Sequence, residues 1–218
     1  LVKHPIGATF TADGKLLVIE SHTHFRPKDY TGPEHDRILW LEDSDGDGAA
    51  DKVHVFFEGT DMTMDLATAP DGSIYVSTRD EILRLHDEDH DGAADKVERR
   101  LVFLDSKSRY PHNGLSGLAF DKPGGLYFGM GENLGEPYTL AGSDGVKIGD
   151  QGEGGNIWHV DKDGRELRRV ATGFWNPFGL FVREDGEIFA VENDPGGRPP
   201  CRLLNIVEGA DYGFQWVY

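Results

Sequence analysis

One cassette recurs four times along the chain, and no other feature constrains the fold as much. Each copy is an apolar strand-like run, a glycine-containing turn and a second run of β-branched or aromatic residues. The copies are Gly7-Ala8-Thr9-Phe10 with Asp13-Gly14 and Leu16-Leu17-Val18; Leu66-Ala67-Thr68 with Asp71-Gly72 and Ile74-Tyr75-Val76; Gly117-Leu118-Ala119-Phe120 with Gly124-Gly125 and Leu126-Tyr127-Phe128; and Gly179-Leu180-Phe181-Val182 with Asp185-Gly186 and Ile188-Phe189-Ala190. The turn glycines Gly14, Gly72, Gly125 and Gly186 stand 58, 53 and 61 residues apart. Short strands about a glycine turn read as β-hairpins, and self-similarity at this period marks a repeat architecture. The first three copies add a second pair of strand-like runs: residues 37–41 with 53–57, 82–85 with 101–104, and 156–160 with 167–170. Four short strands per repeat is the sequence form of a propeller blade. The expected fold is therefore all-β: a β-propeller with about four blades of four antiparallel strands. The whole chain, residues 1–218, reads as one propeller domain with blades at 1–60, 61–105, 112–172 and 173–218. A sandwich or unrelated barrel does not predict the repeat, and no amphipathic helical stretch of useful length appears. The chain opens at Leu1 without a methionine, a charged leader or an apolar leader, and stops at Tyr218 just after a strand-like run. The expectation is a processed or excised piece of a larger, incomplete ring.

Composition narrows the partners. The 39 acidic and 22 basic residues leave a net charge of −17, which repels phosphate backbones and anionic membranes and attracts cations; nucleic acid is not an expected partner. Apolar runs reach only four residues, as at 16–19, 101–104 and 188–191, far short of the roughly 20 that span a bilayer, so no membrane span is expected. The single cysteine, Cys201, excludes an internal disulfide framework and reads as a structural thiol.

Two nine-residue loops share the pattern D-x-D-x-D-G-x-x-D, at residues 43–51 and 87–95. Glycine at position 6 permits a sharp turn that brings the carboxylates of positions 1, 3 and 5 together. A position-7 carbonyl and the position-9 aspartate can complete an oxygen cage. The expected calcium ligands are Asp43, Asp45, Asp47, Ala49 and Asp51 in the first loop, and Asp87, Asp89, Asp91, Ala93 and Asp95 in the second. Aspartates this dense repel one another without a cation; the alternative is a solvated acidic turn. The strand-like flanks, and His54 at position 12 of the first loop against Glu98 of the second, argue against EF-hands.

Glu20, His22 and His24 alternate at the end of a strand and are expected to share a face. Active-site lining, a transition-metal site and loop hydrogen bonding all remain open for His22 and His24. His112 precedes the third cassette, where propeller loops ring the central channel, and an imidazole there can act as a general base near neutral pH. An ordinary hydrogen-bonded loop histidine is the alternative. No G-x-S-x-G, P-loop, zinc-protease or C-x-x-C-H motif is present.

Two stretches resemble the glucose/sorbosone dehydrogenases. His112 with Gly117-Leu118-Ala119-Phe120, Gly125-Leu126-Tyr127 and Gly129-Met130-Gly131-Glu132 is similar to that family's histidine-containing blade. Gly173-Phe174-Trp175-Asn176-Pro177-Phe178-Gly179-Leu180, Glu192-Asn193-Asp194-Pro195 and Gly209-Ala210-Asp211-Tyr212-Gly213-Phe214 resemble the blade that follows, so the match runs in order from 112 to 214. The whole chain resembles more closely the membrane-bound dehydrogenase-like propellers of planctomycete-type bacteria, often joined to haem-binding domains. That likeness is carried by residues 22–27, both aspartate loops, residues 131–137 and residues 198–204. The resemblance implies an exported, periplasmic or secreted, six-bladed propeller that oxidises a small sugar with pyrroloquinoline quinone (PQQ) and calcium. A c-type haem domain or cytochrome would take the electrons. By position, His112 would take the sugar hydroxyl's proton, Asn176 would contact the cofactor, and the carbonyls of Asp194 and Pro195 would ligate its calcium. The sequence departs from the family in placing Trp175 where an arginine is expected, Asp194 for a glycine, and Cys201-Arg202 for an acidic pair; the spacing after His112 is one residue longer. Three functions compete: the quinone-dependent dehydrogenase; a non-catalytic calcium-stabilised propeller that binds carbohydrate or positions a haem domain; and a calcium-assisted hydrolase or lyase using His22, His24 or His112.

Overall fold

The computed structural model describes residues 2–152, 154–193 and 201–214. The first blade is β1 (Pro5–Phe10), β2 (Leu16–Glu20), β3 (Asp36–Glu42) and β4 (Lys52–Thr60), paired antiparallel in chain order. β5 (Thr63–Thr68), β6 (Ile74–Thr78), β7 (Glu81–His86) and β8 (Lys96–Ser106) repeat the arrangement. The third blade is β9 (Leu115–Phe120) and β10 (Leu126–Met130), then the hairpin β11 (Tyr138–Gly142) and β12 (Lys147–Asp150), then β13 (Gly155–Val160) and β14 (Arg168–Phe174). β13 pairs with β10, so the hairpin is an insertion within the third blade. It pairs instead on the outer edge of the second: β11 runs antiparallel to β8, Leu140 opposite Leu104, and blade 2 becomes a six-stranded sheet. β15 (Asn176–Val182), β16 (Ile188–Asn193) and β17 (Arg202–Ile206) form a fourth, three-stranded sheet among the described residues. The chain is an all-β propeller, and no α-helix occurs among the described residues.

The blades stack face to face because their strands are apolar on both sides. β6 is buried along its whole length. Leu17, Ile19 and Ile38 of blade 1 meet Leu66, Val76, Leu83 and Leu85 of blade 2. Tyr75, Ile82 and Val102 meet Leu118, Phe128 and Trp158 at the next seam, and Ile157, Val170 and Phe174 meet Ile188, Ala190 and Ile206 at the last. Each buried side chain of this size contributes about 1.5–3 kcal/mol, so the seams are the cores. Strands β1, β5, β9 and β15 stand side by side as the innermost row.

Antiparallel order assigns every loop to one of two faces. The cassette turns and both aspartate loops, which join β3 to β4 and β7 to β8, lie on one face. The segments 21–35, 79–80, 107–114 and 131–137 lie on the other, so the histidines sit across the molecule from the aspartates.

Candidate functional site

The strand β2 ends at Glu20, and the histidines that follow diverge. His22 turns inward: its Nε2 lies 2.8 Å from Glu20 Oε2 and its Nδ1 2.5 Å from the Tyr30 hydroxyl. Burial raises the Glu20 carboxyl, but hydrogen bonds from the Lys3 N–H, His22 and Arg37 outweigh it and hold the group down at about 2. His22 is thus held within the loop, and it also borders the cavity that His24 lines. His24, two residues on, reaches the segment between blades 2 and 3, where its Nε2 lies 2.9 Å from Nε2 of His112 with the rings edge-to-face. Phe25, Tyr110 and Phe178 surround the pair, Tyr110 stacking on His112.

Two buried charges fix this meeting. Asp36, fully buried, accepts from His22 N–H (2.5 Å), Thr23 N–H (2.8 Å), Thr23 Oγ1 (2.8 Å), Thr63 N–H (2.9 Å) and Thr63 Oγ1 (2.8 Å). It ties the histidine loop to the start of blade 2. Arg79, 1% exposed, donates to the carbonyls of Ser108 and Tyr110 and pairs with Asp80. It carries the segment that ends in a 3-10 turn over Pro111–Asn113. The backbones approach closely here: a Cβ at Gly114 would lie 2.4 Å from the Arg79 carbonyl, and one at Gly131 would lie 2.2 Å from the Asn176 side-chain amide and 3.0 Å from the His112 carbonyl. Only glycine fits either position.

Burial, and for His24 also the neighbouring His112, lowers the pKa of both imidazoles. Asp36 opposes this only in part at His24. The pair is therefore neutral at neutral pH, with lone pairs to accept a proton. Nearby, Glu132 is fully buried; burial raises its carboxyl against the lowering hydrogen bonds from the Leu134 and Gly135 N–H groups.

Asn176 sits behind His112 rather than open to the mouth. With its amide oriented to match donors and acceptors, the nitrogen donates to the carbonyls of Trp175 (3.0 Å) and His112 (3.3 Å), and the oxygen accepts from Trp175 Nε1 (3.1 Å). Asp194 and Pro195 lie outside the described residues. A quinone cofactor with carboxylates needs hydrogen-bond donors, cations and a base. The side-chain nitrogens of Asn113 and Asn133, both fully buried, have no acceptor and fit the first need; the histidine pair fits the third. The cations beside them are spent: Arg79 and Arg109 pair with Asp80, and Arg202 with Glu192.

On the opposite face, the carboxylates of Asp43, Asp45 and Asp47 converge within 4.8 Å, as do those of Asp87, Asp89 and Asp95. Asp51 is drawn off by Ser44, whose N–H and Oγ donate to it at 2.9 and 2.6 Å. Asp91 accepts from the Ala93 N–H (2.8 Å), as Asp47 does from the Ala49 N–H (2.8 Å). The second loop also docks on blade 1: Ala94 N–H donates to the Phe56 carbonyl (2.8 Å) and Gly92 packs against Trp40. Asp87 Oδ1 is buried there with no donor, and an unpaired carboxylate oxygen suits a hard cation. Cys201 is exposed and free.

Sequence reasoning singled out the histidines and the aspartates but not Asp36, Arg79, Asn113 or Asn133. The Asp-Arg pair 36–37 and the Arg-Asp pair 79–80 sit at strand boundaries, the only local sign of their role.

Comparison with known proteins follows this geometry. A family model described as a domain of unknown function, DUF7133, matches residues 1–203. No curated protein matches the chain. Among solved structures, the aldose sugar dehydrogenase of Streptomyces coelicolor in its PQQ-bound form is 20% identical with a TM-score of 0.61, covering 98% of this chain and 63% of that one. The Trichoderma reesei enzyme of carbohydrate-active family AA12 is 18% identical with a TM-score of 0.64, covering 98% and 56%. Regucalcin of Agrobacterium tumefaciens strain C58, a calcium-binding protein, is 15% identical with a TM-score of 0.57, covering 96% and 64%. The chain thus spans less than two thirds of these relatives, and at such identities the likeness carries the fold.

Proposed function

The chain belongs to the DUF7133 family, and we propose that it is the base-bearing part of a quinone-dependent sugar oxidoreductase. The observation that carries this reading is the His24–His112 pair, held at 2.9 Å among Phe25, Tyr110 and Phe178. Aromatic walls suit the C–H faces of a sugar, and a neutral imidazole suits removal of a hydroxyl proton. The fold shared with sugar dehydrogenases supports the substrate class.

In this reading Asn113 and Asn133 would hold the cofactor's oxygens, and PQQ would supply two-electron acceptance. His112 holds the proton taken from the sugar. Asn176 and Trp175 act behind it by fixing the His112 carbonyl. Arg79 and Asp36 orient the two histidine segments, and Phe25 shields the pair from water. The cations for the cofactor's carboxylates, and the part of the cofactor's calcium site assigned to Asp194 and Pro195, belong to the proposal alone.

Two further blades would close a six-bladed ring. The apolar outer faces support it: Phe10 on blade 1 is 64% exposed and Leu203 on blade 4 is 72% exposed, whereas the facing residues at every internal seam are buried. Calcium in both aspartate loops would brace the structure from the face opposite the histidines. Relationship to the planctomycete-type membrane-bound dehydrogenase-like propellers, export to the periplasm or medium, and electron transfer to a c-type haem domain or cytochrome complete the proposal. One observation favours the alternative of a non-catalytic carbohydrate-binding or haem-positioning propeller: Trp175 replaces the expected arginine and binds Asn176.

The test is dye reduction by the intact protein with calcium and a panel of sugars, with and without PQQ. PQQ-dependent turnover that falls at least about 100-fold in His112→Ala is expected. Absence of turnover with every sugar, or near-normal turnover in His112→Ala, would overturn the reading.

A further inference from the structure

The two imidazoles at the mouth differ in what surrounds their second nitrogens. His24 Nδ1 is buried and has no hydrogen-bond partner. Ser21, 5% exposed, also has a buried Oγ without a partner. Ser21 and His24 line one cavity of about 420 Å³, together with His4, Ile6, His22, Phe25, Pro27 and Tyr30; both ring nitrogens of His22 are already engaged, by Glu20 and Tyr30. The walls are mainly apolar, and the two orphaned polar atoms belong to residues in those walls but are covered from solvent, so a ligand must displace that cover to reach them.

The orphan decides where the hydrogens are. A neutral imidazole carries one hydrogen, on Nδ1 or on Nε2. On Nδ1 of His24 it would be a buried N–H with no acceptor, which is rarer and costlier than a buried lone pair. The hydrogen therefore sits on Nε2, where Nε2 of His112 accepts it at 2.9 Å. That bond fixes His112 with its own hydrogen on Nδ1 and its Nε2 lone pair already occupied. Of the four ring nitrogens, the one with a free lone pair is His24 Nδ1.

We propose that the pair takes its proton at His24 Nδ1, from a hydroxyl of a polyhydroxy ligand seated in the cavity bounded by Ser21, Phe25 and Tyr30, with His112 as terminal acceptor. The ligand's O–H bond breaks, its electron pair stays on the oxygen, and the proton joins His24 Nδ1. The Nε2–H bond of His24 breaks in turn, and that proton joins Nε2 of His112. His24 ends neutral with its hydrogen moved to Nδ1, and His112 ends as an imidazolium. Ser21 Oγ gives the ligand a second hydrogen bond, and the rings of Phe25 and Tyr30 face its C–H groups. Asp36 favours protonation of His24 and His112 opposes it, while His4, His22 and Tyr30 are the titratable groups that line the same cavity. His24 is thereby a catalytic residue and not only a wall. The ligand class rests on the oxidoreductase reading; the tautomers do not.

The experiment is long-range ¹H–¹⁵N NMR of the intact protein labelled at histidine, assigned with His24→Gln and His112→Gln. The expected result at pH 7.5 is hydrogen on Nε2 of His24 and on Nδ1 of His112, with the His24 Nδ1 signal shifting when D-glucose or D-xylose is added. Hydrogen on His24 Nδ1, or a His24 signal that neither sugar moves, overturns the proposal. In dye reduction, His24→Gln keeps a donor toward His112 but removes the free lone pair, so kcat falls about 100-fold or more; a change under about threefold overturns the proposal. Sugar-dependent shifts at His24 without wild-type turnover would defeat the oxidoreductase reading while supporting ligand binding at His24.

Discussion

Replacing Asp36 by asparagine tests whether a single carboxylate holds the histidine loop. The native side chain is fully buried and accepts five hydrogen bonds from three residues. An amide keeps one oxygen, which can still serve the N–H groups of His22 and Thr23. Its NH₂ then faces the hydroxyls of Thr23 and Thr63, which can rotate to accept, and the N–H of Thr63, which cannot. One orphaned buried N–H costs about 1–3 kcal/mol, and the surviving bonds lose charge assistance. The expected loss is about 2–4 kcal/mol. For a chain of this length each kcal/mol moves Tm by about 2–4 °C, so Tm should fall by roughly 5–15 °C. Thermal and urea unfolding measure it, with Asp29→Asn, exposed in the same loop, as the control expected to stay within about 1 °C. A Tm for Asp36→Asn within about 1 °C of wild type would refute the reasoning, because no fully buried five-bond acceptor can be exchanged at that cost.

Removal of calcium should destabilise the protein: a ligand at 100 times its Kd adds about 2.7 kcal/mol per site, so excess chelator should lower Tm by several degrees, and an unchanged melting curve would count against both aspartate sites. Asp65, on the innermost strand β5, accepts from the Leu66 and Leu118 N–H groups (2.9 Å each), yet burial pushes its carboxyl up to about 6 from 3.8. The folded state thus holds this proton more tightly than the unfolded one, so its contribution is full below about pH 4 and is lost as pH rises through 6. A shift of this size is worth about 3 kcal/mol. Wild type should gain about that much on Asp65→Asn between pH 7.5 and pH 4 in urea unfolding, and a pH-independent difference would exclude the shift.

The blades were legible because period-2 runs and turn glycines are local signals. Leu16 to Val18, Ile74 to Val76 and Leu126 to Phe128 all became second strands of their sheets. The hairpin β11–β12 was not legible. Its short strands contain Gly142 and Gly149 and are flanked by Gly135 and Gly145, a density that reads as loop, and its partner β8 belongs to another repeat. In the site, His24 and His112 could be nominated one by one, but the bond between them joins residues 88 apart. Nothing local marks Asp36 or Arg79 as buried, because charged residues are seldom fully buried and burial belongs to the packed structure.

The misplaced hairpin also has a mechanical meaning. A chain segment that leaves blade 3, zips onto blade 2 and returns acts as a clasp across one seam. Tension along the chain would load three seams in series. The seams between blades 1 and 2 and between blades 3 and 4 resist by side-chain packing and a few backbone bonds, as from the Ala94 N–H to the Phe56 carbonyl and from the Tyr212 N–H to the Thr172 carbonyl. The clasped seam adds a run of strand pairing, Tyr138 to Gly142 against Ser106 to Val102. Blades 2 and 3 are thereby expected to unfold together, so that a partial opening at the first seam would part His24 from His112 while the clasped pair of blades stays folded.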